Sequence, residues 1–182
     1  MASRQQQKVD LIIVDLRSDD PKKVKKAIKS LEVHGNASVI KPLFGILKEG
    51  LPDKLQSQLI ELLCSLKDTS VVAEIIDVLE DKEMLEMRPL VLTTIWNMKV
   101  DFSDYIDDFV SIACKGSFME AVDCLTIIEN LEGPFMEENI LESQLHLKGY
   151  HENRDLSSDA QKAEVMSEIA IFIKETDMNL ID

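Results

Sequence analysis

His146 and His151, with Glu152 beside the second, are the nearest approach this 182-residue sequence makes to a metal-ligand group. A spacing of five puts two helical residues on different faces, and a closed site needs more ligands than these, so both are expected to be surface histidines. The run DFSDYIDD, residues 101–108, is acidic enough to attract calcium but lacks the central glycine and alternating aspartates of an EF-hand loop. Asp107 and Asp108 are adjacent and point apart on a helix, so a solvated face is expected there rather than paired acid–base chemistry. Cys64, Cys114 and Cys124 have no metal spacing and lie in apolar helical surroundings, where thiols are usually inert. There is no glycine-rich phosphate loop, GxSxG elbow, CxxC or HExxH. The reading is therefore of a protein that is not an enzyme, with no catalytic, cofactor-binding or metal residues and no cofactor.

The elements that would carry any other function are helices. Hydrophobic residues make up 45% and charged residues 30%, with only 6 Gly and 5 Pro, a composition that buries a core and suits helices. The leading run LIIV, residues 11–14, is too short for a secretory signal, and no stretch approaches a membrane span. An odd cysteine count argues against a disulfide framework, and a reducing cytoplasm is the expected location. Asn36 opens a sequon, NAS, without other signs of secretion.

Apolar stripes at helical spacing recur along the chain. Val39, Ile40, Leu43, Ile46 and Leu47 fall on Val71, Val72, Ile75, Val78 and Leu79 at an offset of 32, and Tyr105, Ile106, Phe109, Ile112 and Ala113 follow at 34. Each stripe is preceded by another helix. Asp20 can cap the first of these and Pro21 fits its opening turn, with Val24, Ala27, Ile28 and Leu31 on one face. Leu59, Leu62 and Leu63 recur as Leu92, Ile95 and Trp96 at an offset of 33, and Trp96, Met84, Met87 and Met98 are expected in the core. A fourth pair keeps Leu125 and Ile128 but drifts in its second helix, as a capping unit would. Val9, Ile12, Ile13 and Leu16 mark a leading helix; Ser158 and Gln161 stand in capping-box positions before a trailing one, with Val165, Ile169, Phe172 and Ile173 inward. The polar stretch KGYHENRDL, residues 148–156, is expected to be a loop.

Tetratricopeptide and ankyrin signatures are missing from these units. DDPKKVKKAIKSLEVHGNASVIKPLFGILKEG, residues 19–50, instead resembles the short HEAT-like repeats named after phycobilisome lyases. It has the Asp-x-Pro opening, Val24 followed by Lys25, Ala27 before Ile28, and Gly35 at the inter-helix turn. The second unit departs with Gln56 at the basic position, and the third with Pro89 inside its first helix. The resemblance, over residues 19 to about 147, implies one all-α, right-handed α-solenoid domain across 1–182. It has a capping helix in 1–18, about four HEAT-like hairpins in 19–150, and a loop and capping helix in 151–182. The family's repeat residues are structural, and no lyase activity follows from the name.

Charge points to partners. The formal net charge is -14, yet residues 1–50 hold ten Lys or Arg against six acids, and residues 101–147 hold Lys115 alone against eleven. In HEAT-like stacks the second helix of each unit lines the concave side, which implies an inward acidic ridge of Glu74, Asp77, Asp104, Asp107, Asp108, Glu138 and Glu142. Such a surface concentrates a basic partner. The expected function is a non-enzymatic scaffold or adaptor that binds a basic peptide or protein on this face. The alternative is an accessory nucleic-acid-associated module using Lys22, Lys23, Lys25, Lys26 and Lys29; a lyase or ligand-transfer role by family analogy is weaker. Nucleic acid is disfavoured by the net charge and no membrane partner is expected. Contact of the basic first unit with the acidic last unit of a second copy is a further option.

Overall fold

The computed structural model describes residues 4–34, 36–153 and 160–181; Gly35 and Ser158, read above as a turn residue and a cap, lie outside them. Among the described residues every regular element is helical, ten α-helices joined by turns and short 3₁₀ segments, with no strand. Contacts divide the chain into two compact units, Met1–Val100 and Asp101–Asp182.

The first unit contains α1 (Arg4–Leu16), α2 (Pro21–His34), α3 (Ile40–Glu49), α4 (Asp53–Ser65), α5 (Val71–Glu80) and α6 (Arg88–Asn97). Alternate helices pack together: α2 on α4, α4 on α6, and α3 on α5, while α1 covers α2 and reaches α3. The stripes explain this. Val39, at the 3₁₀ turn leading into α3, and the four apolar positions predicted on α3 are buried, as are all five on α5 and Val24, Ala27, Ile28 and Leu31 on α2. Each such Leu or Ile contributes about 1.5–3 kcal/mol when removed from water, so the repeated face is what drives stacking. Asp20 starts α2 as expected, its Oδ1 accepting the Lys22 N–H at 2.9 Å. Asn36 is used locally, its side chain accepting the Ser38 N–H at 3.0 Å on the way into α3. Gly50 ends α3 with φ 95°, a left-handed conformation that costs glycine little.

One expectation fails in α6. Trp96 is 48% exposed, and the inward face is Val91, Leu92, Thr94, Ile95 and Met98. The apolar alignment passed over Thr94 because threonine is polar. Its hydroxyl donates to the Leu90 carbonyl at 2.8 Å, which lets it occupy a core position and turns Trp96 to the outer flank. Pro89 lies inside α6 as expected, in its first turn after the 3₁₀ segment Lys82–Met87, where its missing N–H breaks no helical hydrogen bond. Met87 and Met98 are buried as expected, and Met84 is half-buried.

The second unit contains α7 (Ile106–Lys115), α8 (Phe118–Ile128), α9 (Glu137–Asn153) and α10 (Ala160–Ile181). Helix α7 packs on both α8 and α9, and α10 closes on α8 and α9. Phe109, fully buried, meets Phe102 edge-on at 6.2 Å between ring centres. Ser117 begins α8 with a complete capping box: its Oγ accepts the Glu120 N–H at 3.2 Å, and its own N–H donates to Glu120 Oε2 at 2.7 Å. Gly133, with φ 72°, shapes the connection to α9, and its N–H donates to the buried Ser103 Oγ at 2.9 Å.

Residues 148–153, read as loop, are the last turns of α9. Their polarity misled because Tyr150 turns inward and is half-buried, with the Lys162 ammonium 5.4 Å from its ring centre. That ammonium also donates to the Cys114 carbonyl at 3.1 Å and the Gly116 carbonyl at 2.6 Å, tying α10 to the C-terminal end of α7.

Candidate interaction surface

The acidic residues singled out by sequence fall into two groups. Glu74, half-buried, and Asp77, exposed, lie on α5 in the first unit. The other five belong to the second unit, where α7 and α9 lie side by side.

Three observations define the seam between those helices. The Asn139 side chain of α9 donates to the Asp104 carbonyl at 2.7 Å, and the Cys114 thiol donates to the His146 carbonyl at 3.6 Å. Between these points, burial pushes the Asp107 carboxyl above its ordinary value; His146 draws it back and Glu142 pushes it further up. Glu142 in turn stands 4.0 Å from His146 Nε2. Asp107 and Glu142 are thus neighbours across the seam; Asp104 meets α9 through its backbone carbonyl, and Glu138, exposed, lies one turn before Glu142. Asp108 is one step further round α7 and half-buried. The structure brings Asp107 and Glu142 together across the seam, with Asp104 and Glu138 next to its Asn139 end and Asp108 beside it.

Sequence reasoning missed two leucines. Leu141 and Leu145 are 49% and 60% exposed, and they share a face of α9 with Glu138 and Glu142 at i, i+3, i+4 and i+7. The inward face of α9 is instead made by Ile140, Ser143 and the half-buried Leu147 and Tyr150. Ser143 fits because its hydroxyl donates to the Asn139 carbonyl at 2.8 Å. The signal was present in ENILESQLHL, where two competing leucine registers blurred the stripe.

The five lysines of α2 are all exposed. Lys25 and Lys29 border a groove of about 320 Å³ between α2 and α4, and Glu32 and Glu61 line the same groove. A second cleft in this unit, about 270 Å³, lies between the turns after α1 and α3; Arg17 and Glu49 join across it in a two-pronged ion pair of 3.0 and 3.1 Å. Burial raises the Cys64 thiol and pushes Cys114 up to about 11, which disfavours the reactive thiolate. His146 and His151 both lie on α9, the first half-buried and the second exposed. Among the described residues no group of three or more His, Cys, Asp or Glu is placed to hold a metal ion, and no helix is long and apolar enough to cross a membrane.

Among the described residues the protein is all-helical, and its multi-helix packing is consistent with a helical-repeat, solenoid-type fold. No protein-family model, curated protein or solved structure matches the chain.

Proposed function

We propose that this protein is a non-enzymatic adaptor of the HEAT-like, right-handed solenoid kind, which binds a basic segment of another protein through the acidic seam of α7 and α9. The observation that carries the reading is the distribution of charge. The second unit holds 5 Lys or Arg against 19 Asp or Glu, a formal excess of 14 negative charges. A surface with that excess draws and orients cationic partners, most strongly at low salt. The repeat offsets of 32 to 34 and the buried faces of α3, α5 and α7 support the HEAT-like part of the proposal.

The nucleic-acid alternative has less behind it. Two of its five lysines, Lys25 and Lys29, share a groove with Glu32 and Glu61, which oppose the phosphate neutralisation such binding requires. Affinity capture at low and moderate salt separates the two, with nuclease treatment and two charge-altered chains as controls. The adaptor predicts a basic protein that survives nuclease and is lost on reversing Asp104, Asp107 and Asp108 to lysine. Capture that disappears with nuclease, or with loss of Lys22, Lys25 and Lys26, overturns it.

A further inference from the structure

We infer that the occupant of the α7–α9 seam is an amphipathic helix, with lysine or arginine along one side and aliphatic residues along the other. This rests on the adaptor reading and narrows it from any cationic segment to one kind.

Helix α9 is partly inverted. The middle of a surface helix's solvent face is ordinarily polar, but here it holds Leu141 and Leu145, while Ser143 is fully buried on the inward side. The exposed leucines add little to the unit's own core, and standing one turn apart beside carboxylates they offer apolar surface next to negative charge. Their flank is acidic, with Glu138 and Glu142 on the same helix and Asp107 of α7 beside Glu142 across the seam.

The two chemistries together select the occupant. A purely cationic chain would meet the carboxylates and leave the leucines wet. An apolar helix would cover the leucines but desolvate carboxylates without compensation, which is costly. A helix with both faces satisfies each. Strand addition needs an open sheet edge, and the described residues contain no sheet, whereas side chains at i, i+3, i+4 and i+7 form the ridges between which a second helix packs. Glu138 to Leu145 spans about 10 Å, enough for about two turns of a partner.

The test uses the full chain and two synthetic Lys/Leu peptides of identical composition, one ordered as an amphipathic helix and one scrambled to remove that periodicity. Fluorescence anisotropy at low salt should show the ordered peptide binding about tenfold tighter, as expected for covering exposed leucine surface. Replacing Leu141→Ser and Leu145→Ser should erase that preference and leave the scrambled peptide's affinity unchanged. Circular dichroism checks that the variant keeps its helix content, and the two-peptide comparison on the unaltered chain needs no variant at all. Equal binding of both peptides overturns the helix inference and leaves the adaptor reading standing; no binding of either overturns both. Concentration-dependent self-association abolished by the same serine substitutions would assign the face to a second copy and overturn the inference in that way.

Discussion

The first unit contains 15 Lys or Arg and 15 Asp or Glu, whereas the second contains 5 and 19 and so carries the entire net charge of -14. Both are built from short helices with apolar stripes, yet they spend their charges differently. In the first, ion pairs join separate elements: Arg17 with Glu49, Lys41 with Asp81 at 2.6 Å, and Lys48 with Glu86 at 3.0 Å. In the second, the pairs Glu142–His146 and Lys148–Glu152, at 4.0 and 3.9 Å, lie one turn apart within α9. Exposed pairs contribute little to stability in either place. What differs is the charge left over, which is a property of binding and solubility rather than of fold.

The comparison breaks most sharply in the cores, where the units should behave alike. Phe44→Ala in the first and Phe109→Ala in the second each remove a fully buried ring, and each should destabilise its own unit by about 3–5 kcal/mol, read as lost amide-exchange protection in that unit's helices. A markedly smaller loss at Phe109 would show the acidic unit to be loosely packed. Next comes Lys162→Met, which keeps the aliphatic stem and removes an ammonium bonded to two carbonyls. A loss of about 1.5–3 kcal/mol in denaturant unfolding is expected, concentrated in α7 and α10. The helix caps then compare directly: Asp20→Ala and Ser117→Ala should each cost about 1 kcal/mol by thermal unfolding.

The smallest effect, pH dependence, should have opposite signs in the two units. Asp107 and Asp123 have folded-state values raised above their ordinary 3.8, chiefly by burial. Their protonated forms favour the folded unit, so its stability rises as pH falls from neutral through those raised values. In the first unit Glu49 is held below its ordinary 4.5 by Arg17, and Asp81 below 3.8 by Lys41. What they contribute is complete above the ordinary values and is lost as pH falls through the lowered ones. Amide exchange, corrected for intrinsic rates, should therefore show mild acid tightening α7 and α9 first, and stronger acid loosening α1 to α5 afterwards. Asp107→Asn should shrink the first change; an undiminished response would assign it to other carboxylates.

Much of the fold was legible before the structure. Stripes on α2, α3 and α5 were read residue for residue because leucine, isoleucine and valine at helical spacing have few other uses. Errors arose where polar residues take inward positions. Thr94 and Ser143 return their hydroxyls to the carbonyl one turn back, so a polar letter hides a core site and neighbouring Trp96, Leu141 and Leu145 turn outward. The acidic residues were legible individually, but not which of them meet.

The sequence by itself determined the helices, most of their inward faces and the separation of charge along the chain, because those depend on local spacing and composition. Only the tertiary structure decided that Asp107 and Glu142 meet across one seam and that two leucines stand exposed on the same helix beside Glu142. That assembly depends on which face of α9 packs against α7, and side chains more than 30 positions apart in sequence become neighbours only through that packing.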